Sequence, residues 1–248
     1  MVRAHEIALT LLLAAAAPAA AKAGEPVDLE LVLLGDASWS IDSGELALQR
    51  EGWGDAFADP RVLDAIAQGP VGAIAVAYVE WAASFSTDIV VDWHVIRDRV
   101  SAAAFAAALR QAPRRAQGFN AIGPGMALAT RMIESNGYDG TRRVIDVSGD
   151  GPDLGAPRAD EARDKAAAAG ITINALAIQV RSESAFSNGI SLAAHYAEHV
   201  IGGPGAFVAV AQGMESFREA ILAKLVREIS GGYPPPRLAA RPRGAPPG

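Results

Sequence analysis

Asp28-Leu29-Glu30-Leu31-Val32-Leu33-Leu34-Gly35-Asp36-Ala37-Ser38-Trp39-Ser40 starts with charges at alternate positions. It turns apolar at every position from Leu31 to Leu34, then breaks into small and polar residues. A strand that is apolar on both faces belongs in the middle of a sheet covered on both sides. Gly35-Asp36 marks its end. Asp42 and Glu45, three residues apart, form a capping-box pattern that opens a helix of about four turns carrying Leu46, Leu48, Trp53 and Phe57. A shorter helix is expected over Pro60 to Ala67.

Working outward, Val71–Val79 is a second buried strand. Ile89–Val95 carries Asp92 and His94 at alternate positions, the pattern of an edge strand. Only a short Ser-, Thr- and Asp-containing connection separates these two, so they pair as an antiparallel hairpin. Ser101–Gln111 is a helix stopped by Pro113, and Ile122–Ser135 is a helix ended by Asn136-Gly137. Val144–Val147 is a strand running into Ser148-Gly149-Asp150-Gly151. Helix Ala159–Ala169, strand Ile171–Ile178, helix Leu192–His199 and a short strand Phe207–Val210 follow. A final amphipathic helix, Glu215–Ile229, places Phe217, Ile221, Leu225 and Ile229 on one face. Strands alternating with helices predict an α/β fold of three layers. Its doubly wound, mainly parallel six-stranded sheet has one antiparallel edge strand and helices on both faces.

In such sheets the functional crevice lies beyond the carboxyl ends of the strands. Three loops are expected there: Asp36-Ala37-Ser38-Trp39-Ser40, Gly118-Phe119-Asn120-Ala121-Ile122-Gly123 and Gly149-Asp150-Gly151. Together they offer oxygen donors suited to a hard divalent cation, Mg²⁺ or else Mn²⁺ or Ca²⁺. Asp36 supplies a carboxylate, Ser38 and Ser40 neutral hydroxyls, and Asp150 a contact through a bridging water. So few direct carboxylates leave a cation electron-poor, with an open position for a carboxylate from a partner. Taken singly, Asp-x-Ser-x-Ser and Asp-Gly are also ordinary turn and cap chemistry.

Asp36-x-Ser38-x-Ser40 resembles the metal-ion-dependent adhesion site (MIDAS) of the von Willebrand factor A family, and Asp150-Gly151 resembles that family's later Asp loop. The order of elements over roughly residues 27–230 is similar too. Val144–Pro152, Gly170–Asn174 and Gly202–Phe207 resemble an uncharacterised bacterial branch with this fold, a domain of unknown function of the DUF1194 type. The resemblance implies a binding module, a metal set of Asp36, Ser38, Ser40, Asn120 and Asp150, and no catalysis. Asn120 stands where the family usually has Thr, and Trp39 where it often has Gly. Trp39 is the candidate for contact with a protein partner, as an exposed aromatic anchor.

Two other readings use other residues or no metal. His195-Tyr196-Ala197-Glu198-His199 matches H-x-x-E-H, the inverted zinc-peptidase pattern, with Glu215 or Glu219 as third ligand. A scaffold using the same surface without a cation is the second. A two-Asp phosphatase is disfavoured because Ser38 occupies the second Asp position. Gly123-Pro124-Gly125 lacks the third glycine of a dinucleotide site.

Composition bounds the partners. The net charge is −6, and it stays negative once residues 1–23, which hold Arg3, Lys22 and Glu6, are set aside. An acidic domain repels nucleic acid and anionic lipid, so a protein partner is expected. There is no cysteine, which excludes disulfides and thiolate chemistry. Arg3, the apolar run Ile7–Ala20 and Ala21-Lys22-Ala23 read as a signal peptide over residues 1–23. About 14 apolar residues fall short of the roughly 20 that span a membrane. Export to the periplasm or beyond follows from that reading. Residues 24–232 form the domain, and residues 233–248, rich in Pro and Arg, are expected to be a disordered tail.

Overall fold

The continuous apolar stretch lies in the interior of a six-stranded sheet, as its pattern predicts. A computed structural model describes residues 24–179, 189–213 and 216–231. The expected signal peptide and tail lie outside the described residues, as does Glu215. β2 (Leu29–Asp36) is buried along its whole length between β3 (Ile74–Trp81) and β6 (Arg143–Gly149), parallel to both. β7 (Thr172–Ile178) and β8 (Val208–Ala211) extend the parallel side. β4 (Thr87–Ile96) pairs antiparallel with β3 and forms the opposite edge.

The two faces of β2 lead into two cores. Leu29, Leu31 and Leu33 join Trp53 and Phe57 of α1 (Ser43–Ala58), Val62 and Ile66 of α2 (Pro60–Ala67), Phe105 of α3 (Arg99–Gln111) and Phe217 of α7 (Phe217–Ile229). Val32 and Leu34 face Met126 of α4 (Ile122–Ser135), Ala162 of α5 (Ala159–Ala168) and Tyr196 of α6 (Leu192–His199). Each fully buried Leu or Val side chain contributes about 1.5–3 kcal/mol, so the alternation along this one strand holds both helical layers to the sheet. Asp42 caps α1 in a complete capping box with Glu45.

The structure adjusts several expectations. Leu48 is exposed, and Gln49 and Arg50 take the buried positions on α1 beside Trp53. The reason is the 3.6-residue period, which turns Leu48 away from the stripe carrying Leu46 and Phe57. α3 begins earlier than expected, at Arg99, because Asp98 and Ser101 form a reciprocal cap. A second, two-stranded sheet joins β1 (Glu25–Val27) to β5 (Tyr138–Gly140) in parallel. The charges at the start of β2 are anchors. Asp28 accepts hydrogen bonds from the Val71 and Gly72 amides at 3.0 and 2.8 Å, and Glu30 from Asn136 Nδ2 and the Gly140 amide at 2.6 and 2.8 Å.

One buried charge cluster ties α7 to the sheet. Lys224 Nζ lies 2.5 Å from both Asp146 Oδ1 and Glu228 Oε1, and Asn174 Nδ2 donates to Glu228 at 2.7 Å. Burial, and next the Glu228 charge, raise the Asp146 carboxyl to about 8.

Candidate functional site

The break from apolar strand to polar loop at Gly35-Asp36 puts Asp36 at the carboxyl edge of the central strand, fully buried. Its Oδ1 accepts the Ser38 amide at 2.8 Å and its Oδ2 the Asp150 amide at 3.4 Å. Ser38 Oγ and Ser40 Oγ are 3.0 Å apart, and Ser40 Oγ donates to Asp150 Oδ1 at 2.8 Å. Ser38, Ser40 and Asp150 thus form one hydrogen-bonded chain of side-chain oxygen atoms, to which Asp36 is tied through the Ser38 and Asp150 amides. The fifth candidate ligand, Asn120, sits against Gly151: a Cβ added there would lie 1.9 Å from Asn120 Nδ2. Only glycine leaves room for that amide. Among the described residues the Asn120 side chain has no hydrogen-bond partner.

The electrostatics of this cluster are one-sided. Burial, and next the Asp150 carboxylate, push the Asp36 carboxyl up to about 7 from its ordinary 3.8, against the opposing hydrogen bonds from Ser38 and Asp150. No basic side chain forms an ion pair with Asp36 or Asp150 among the described residues. Two hydroxyls, two carboxylates and an amide, all oxygen donors and short of positive charge, suit a hard divalent cation.

Residues outside the predicted set hold the loops. Arg114 donates to the carbonyls of Ala37, Ser38 and Ile41 at 2.7, 3.1 and 2.9 Å, gripping the Asp36–Ile41 loop from behind. Asp153 accepts from the Ile122 and Gly123 amides at 2.8 and 3.3 Å and from the Ala159 amide at 2.8 Å, so it caps α4 and α5 together. α4 has Ala121 at its own cap position and no local side-chain cap. Gly118, at φ +124°, lets the middle loop pass within contact of Ala83 and offers its carbonyl to the Trp39 amide at 2.9 Å. Trp39 is 65% exposed and meets Phe119 edge-on, with ring centroids 4.6 Å apart. It leans over the loops and does not pack into the body.

The helix carrying His195 and His199 has another job. Its buried residues are Leu192 and Tyr196, and the Tyr196 hydroxyl donates to the Gly151 carbonyl at 2.9 Å and lies beneath Gly149. His195 Nε2 accepts the Asp153 amide at 3.4 Å, and burial, with His199 next, lowers the His195 pKa. Glu198 is largely exposed. Glu219 sits on α7, on the opposite face of the sheet from α6. His195 and His199 do come together, with ring centroids 4.7 Å apart, but Glu219 does not join them, and Glu215 lies outside the described residues. Among the described residues no group of three His, Cys, Asp or Glu side chains is placed to hold a metal ion, and the oxygen cluster at Asp36 relies on hydroxyls and an amide instead.

The family profile described as "Protein of unknown function (DUF1194)" matches residues 26–233. The chain belongs to the DUF1194 family. No curated protein matches it. This DUF1194 chain has the fold of a von Willebrand factor A-like domain, as similarity to solved structures shows. The pilus adhesin SpaC of Lactobacillus rhamnosus GG aligns at TM-score 0.57 and 14% identity, over 83% of this chain and 31% of that one. Proximal thread matrix protein 1 of the mussel byssus, in a structure with a zinc-occupied MIDAS motif, aligns at TM-score 0.56 and 15% identity over 85% of this chain and 50% of that one. The von Willebrand factor domain of the type V pilus tip protein Mfa5 from Porphyromonas gingivalis aligns at 0.54 and 9%, over 83% and 96%. The chain spans about a third of SpaC and half of the byssus protein.

Proposed function

We propose that this chain is an exported binding module that holds a divalent cation, Mg²⁺ in the first instance, on Asp36, Ser38, Ser40, Asn120 and Asp150. The cation's open position takes an acidic group of a protein partner. The observation that carries this reading is the fully buried Asp36 carboxyl, pushed up to about 7 beside Asp150, in a cluster of oxygen donors with no basic counter-charge. A divalent cation would supply the missing charge, and Asn120, with its amide uncommitted, would turn Oδ1 toward it. The family-level fold supports the reading, because relatives of that fold include a protein with an occupied MIDAS motif and two pilus proteins. The Ser40 hydroxyl and the Asp150 carboxylate, 2.8 Å apart, serve in this reading as cation ligands, and the function is binding without bond-breaking.

Export is part of the proposal. It rests on the sequence of residues 1–23. The test is calorimetric titration of Mg²⁺ and Mn²⁺ into metal-stripped protein beginning at Gly24, beside Asp36→Ala. One-site binding that disappears in the variant is expected. A folded parent protein that binds neither ion would overturn the metal reading in favour of a metal-free scaffold.

A further inference from the structure

Large apolar side chains are normally scattered singly over a protein surface, and a cluster of them around a polar centre marks a binding site. Around the Asp36–Asp150 cluster the structure gathers four. Trp39 and Phe119, stacked edge to face, stand on the first and second loops. Phe85, 93% exposed, is the tip of the β3–β4 hairpin, whose Ser86 hydroxyl accepts the Gln117 amide at 3.0 Å. Leu154, 69% exposed, follows the Asp150 loop and donates its amide to the Asn120 carbonyl at 2.6 Å. Hydrogen bonds thus tie the other three supporting loops to the 117–120 segment, which carries Phe119, so the four exposed side chains stand on loops joined beside one polar centre. None is needed to cover the core, and each stays solvated in the free protein at a cost that only a partner would recover.

We infer that these four residues form an apolar collar selecting protein segments in which one aspartate or glutamate is flanked by apolar side chains. The inference deepens the proposed cation site and rests on it. The carboxylate would complete the cation's coordination, and its neighbours would fill the collar. Charge decides the occupant. An acidic domain that presents two carboxylates at the centre of the collar repels a second copy and an anionic membrane surface alike. A single acid held by a cation and flanked by uncharged residues is the complementary ligand. Trp39 and Phe119 are the rigid aromatic anchors that dominate such contacts.

The test uses two blocked heptapeptides with one central aspartate, one flanked by leucine and phenylalanine and the other by glycines. Binding to the chain from Gly24 is followed by the NMR shift of the Trp39 indole N–H at saturating Mg²⁺. The expected result is binding of the apolar-flanked peptide at least about tenfold tighter than the glycine-flanked one. EDTA, or asparagine in place of the peptide's aspartate, should abolish it. Phe85→Ser/Leu154→Ser, on exposed side chains, should erase the tenfold margin when compared at its own saturating Mg²⁺. Equal affinities, a margin that survives in the double variant, or Mg²⁺ binding without peptide binding would overturn the collar and leave the cation site standing. Failure of the parent to bind Mg²⁺ in calorimetry would instead remove the cation site, and the collar's carboxylate ligand with it. A Mg²⁺-dependent dimer in sedimentation, broken by Phe85→Ser/Leu154→Ser, would assign the collar to a second copy and overturn the inference.

Discussion

Replacing Asp36 with asparagine should make the metal-free protein more stable while abolishing its cation binding. The Asp36 carboxyl is fully buried and lies at about 7, against 3.8 ordinarily. Between those values the folded chain retains a proton that the unfolded chain has released, so stability falls as pH rises through this window. At about 1.4 kcal/mol per pH unit, ionised Asp36 costs the fold about 4 kcal/mol at pH 8. Asparagine removes the charge and keeps an acceptor for the Ser38 amide at 2.8 Å, while giving up the long contact from the Asp150 amide. That loss offsets about 1 kcal/mol, leaving a gain of about 3 kcal/mol. For a domain of this size the melting temperature should rise by about 5–10 °C. The assay is thermal unfolding by circular dichroism in EDTA at pH 8, 6 and 4, with parent and Asp36→Asn side by side. The gap should be widest at pH 8 and close toward pH 4, where the parent carries Asp36 protonated. Saturating Mg²⁺ should narrow it at pH 8, stabilising the parent by about 3 kcal/mol at a hundredfold excess over Kd. A variant that melts at or below the parent at pH 8 in EDTA would refute the reasoning, as would a gap that does not change with pH.

Other outcomes follow from the supporting residues. Asp153→Ala removes the side-chain cap from α4 and α5 together and should cost about 2–3 kcal/mol, read by chemical denaturation. Arg114→Met frees three carbonyls of the Asp36–Ile41 loop and should weaken Mg²⁺ about tenfold in calorimetric titration, the loop no longer being held in one geometry. Tyr196→Phe deletes the bond to the Gly151 carbonyl and should cost about 1 kcal/mol of stability, whereas His195→Ala should leave the Mg²⁺ titration unchanged. Lys224→Met strands Asp146 and Glu228 together and should cost about 3–5 kcal/mol at pH 8. The same variant should lose less at pH 5, where Asp146, raised to about 8, holds its proton; urea unfolding at both pH values checks this.

The sheet was legible because its strands obey simple burial rules. Leu31–Leu34 could only be central, and the polar alternation at Asp92 and His94 could only be an edge. β1 and β5 escaped notice because each is three residues long and contains Pro26 or Gly140, too short and broken for any period to register. Leu48 misled because its type suits a core while its helical phase does not. At the candidate site, strand ends picked out the three loops, since topology alone brings them to one edge. Arg114, Asp153 and Tyr196 were invisible for a common reason. Each acts on backbone groups far away in the chain, and neither spacing nor residue type records which carbonyl or amide a side chain will find. Asp153 left a faint signal in the bare Ala121 cap of α4, which needed an acceptor from somewhere. Tyr196 left another, as an aromatic between two polar histidines on a helix that had to bury something.

The Asp146–Lys224–Glu228 cluster carries a consequence for how this sequence can drift. Two acids and one amine sealed between α7 and β6 work only as a set with one proton among them. Loss of the lysine strands two carboxyls, and loss of one acid leaves a neutral pair of different shape. Relatives should therefore either keep all three or exchange them together for apolar or amide side chains. A chain caught midway between those solutions would fold poorly at neutral pH. The strand bearing Asp146 ends three residues later at Gly149, next to Asp150, so such an exchange would also reset the footing of the loop in the proposed cation site.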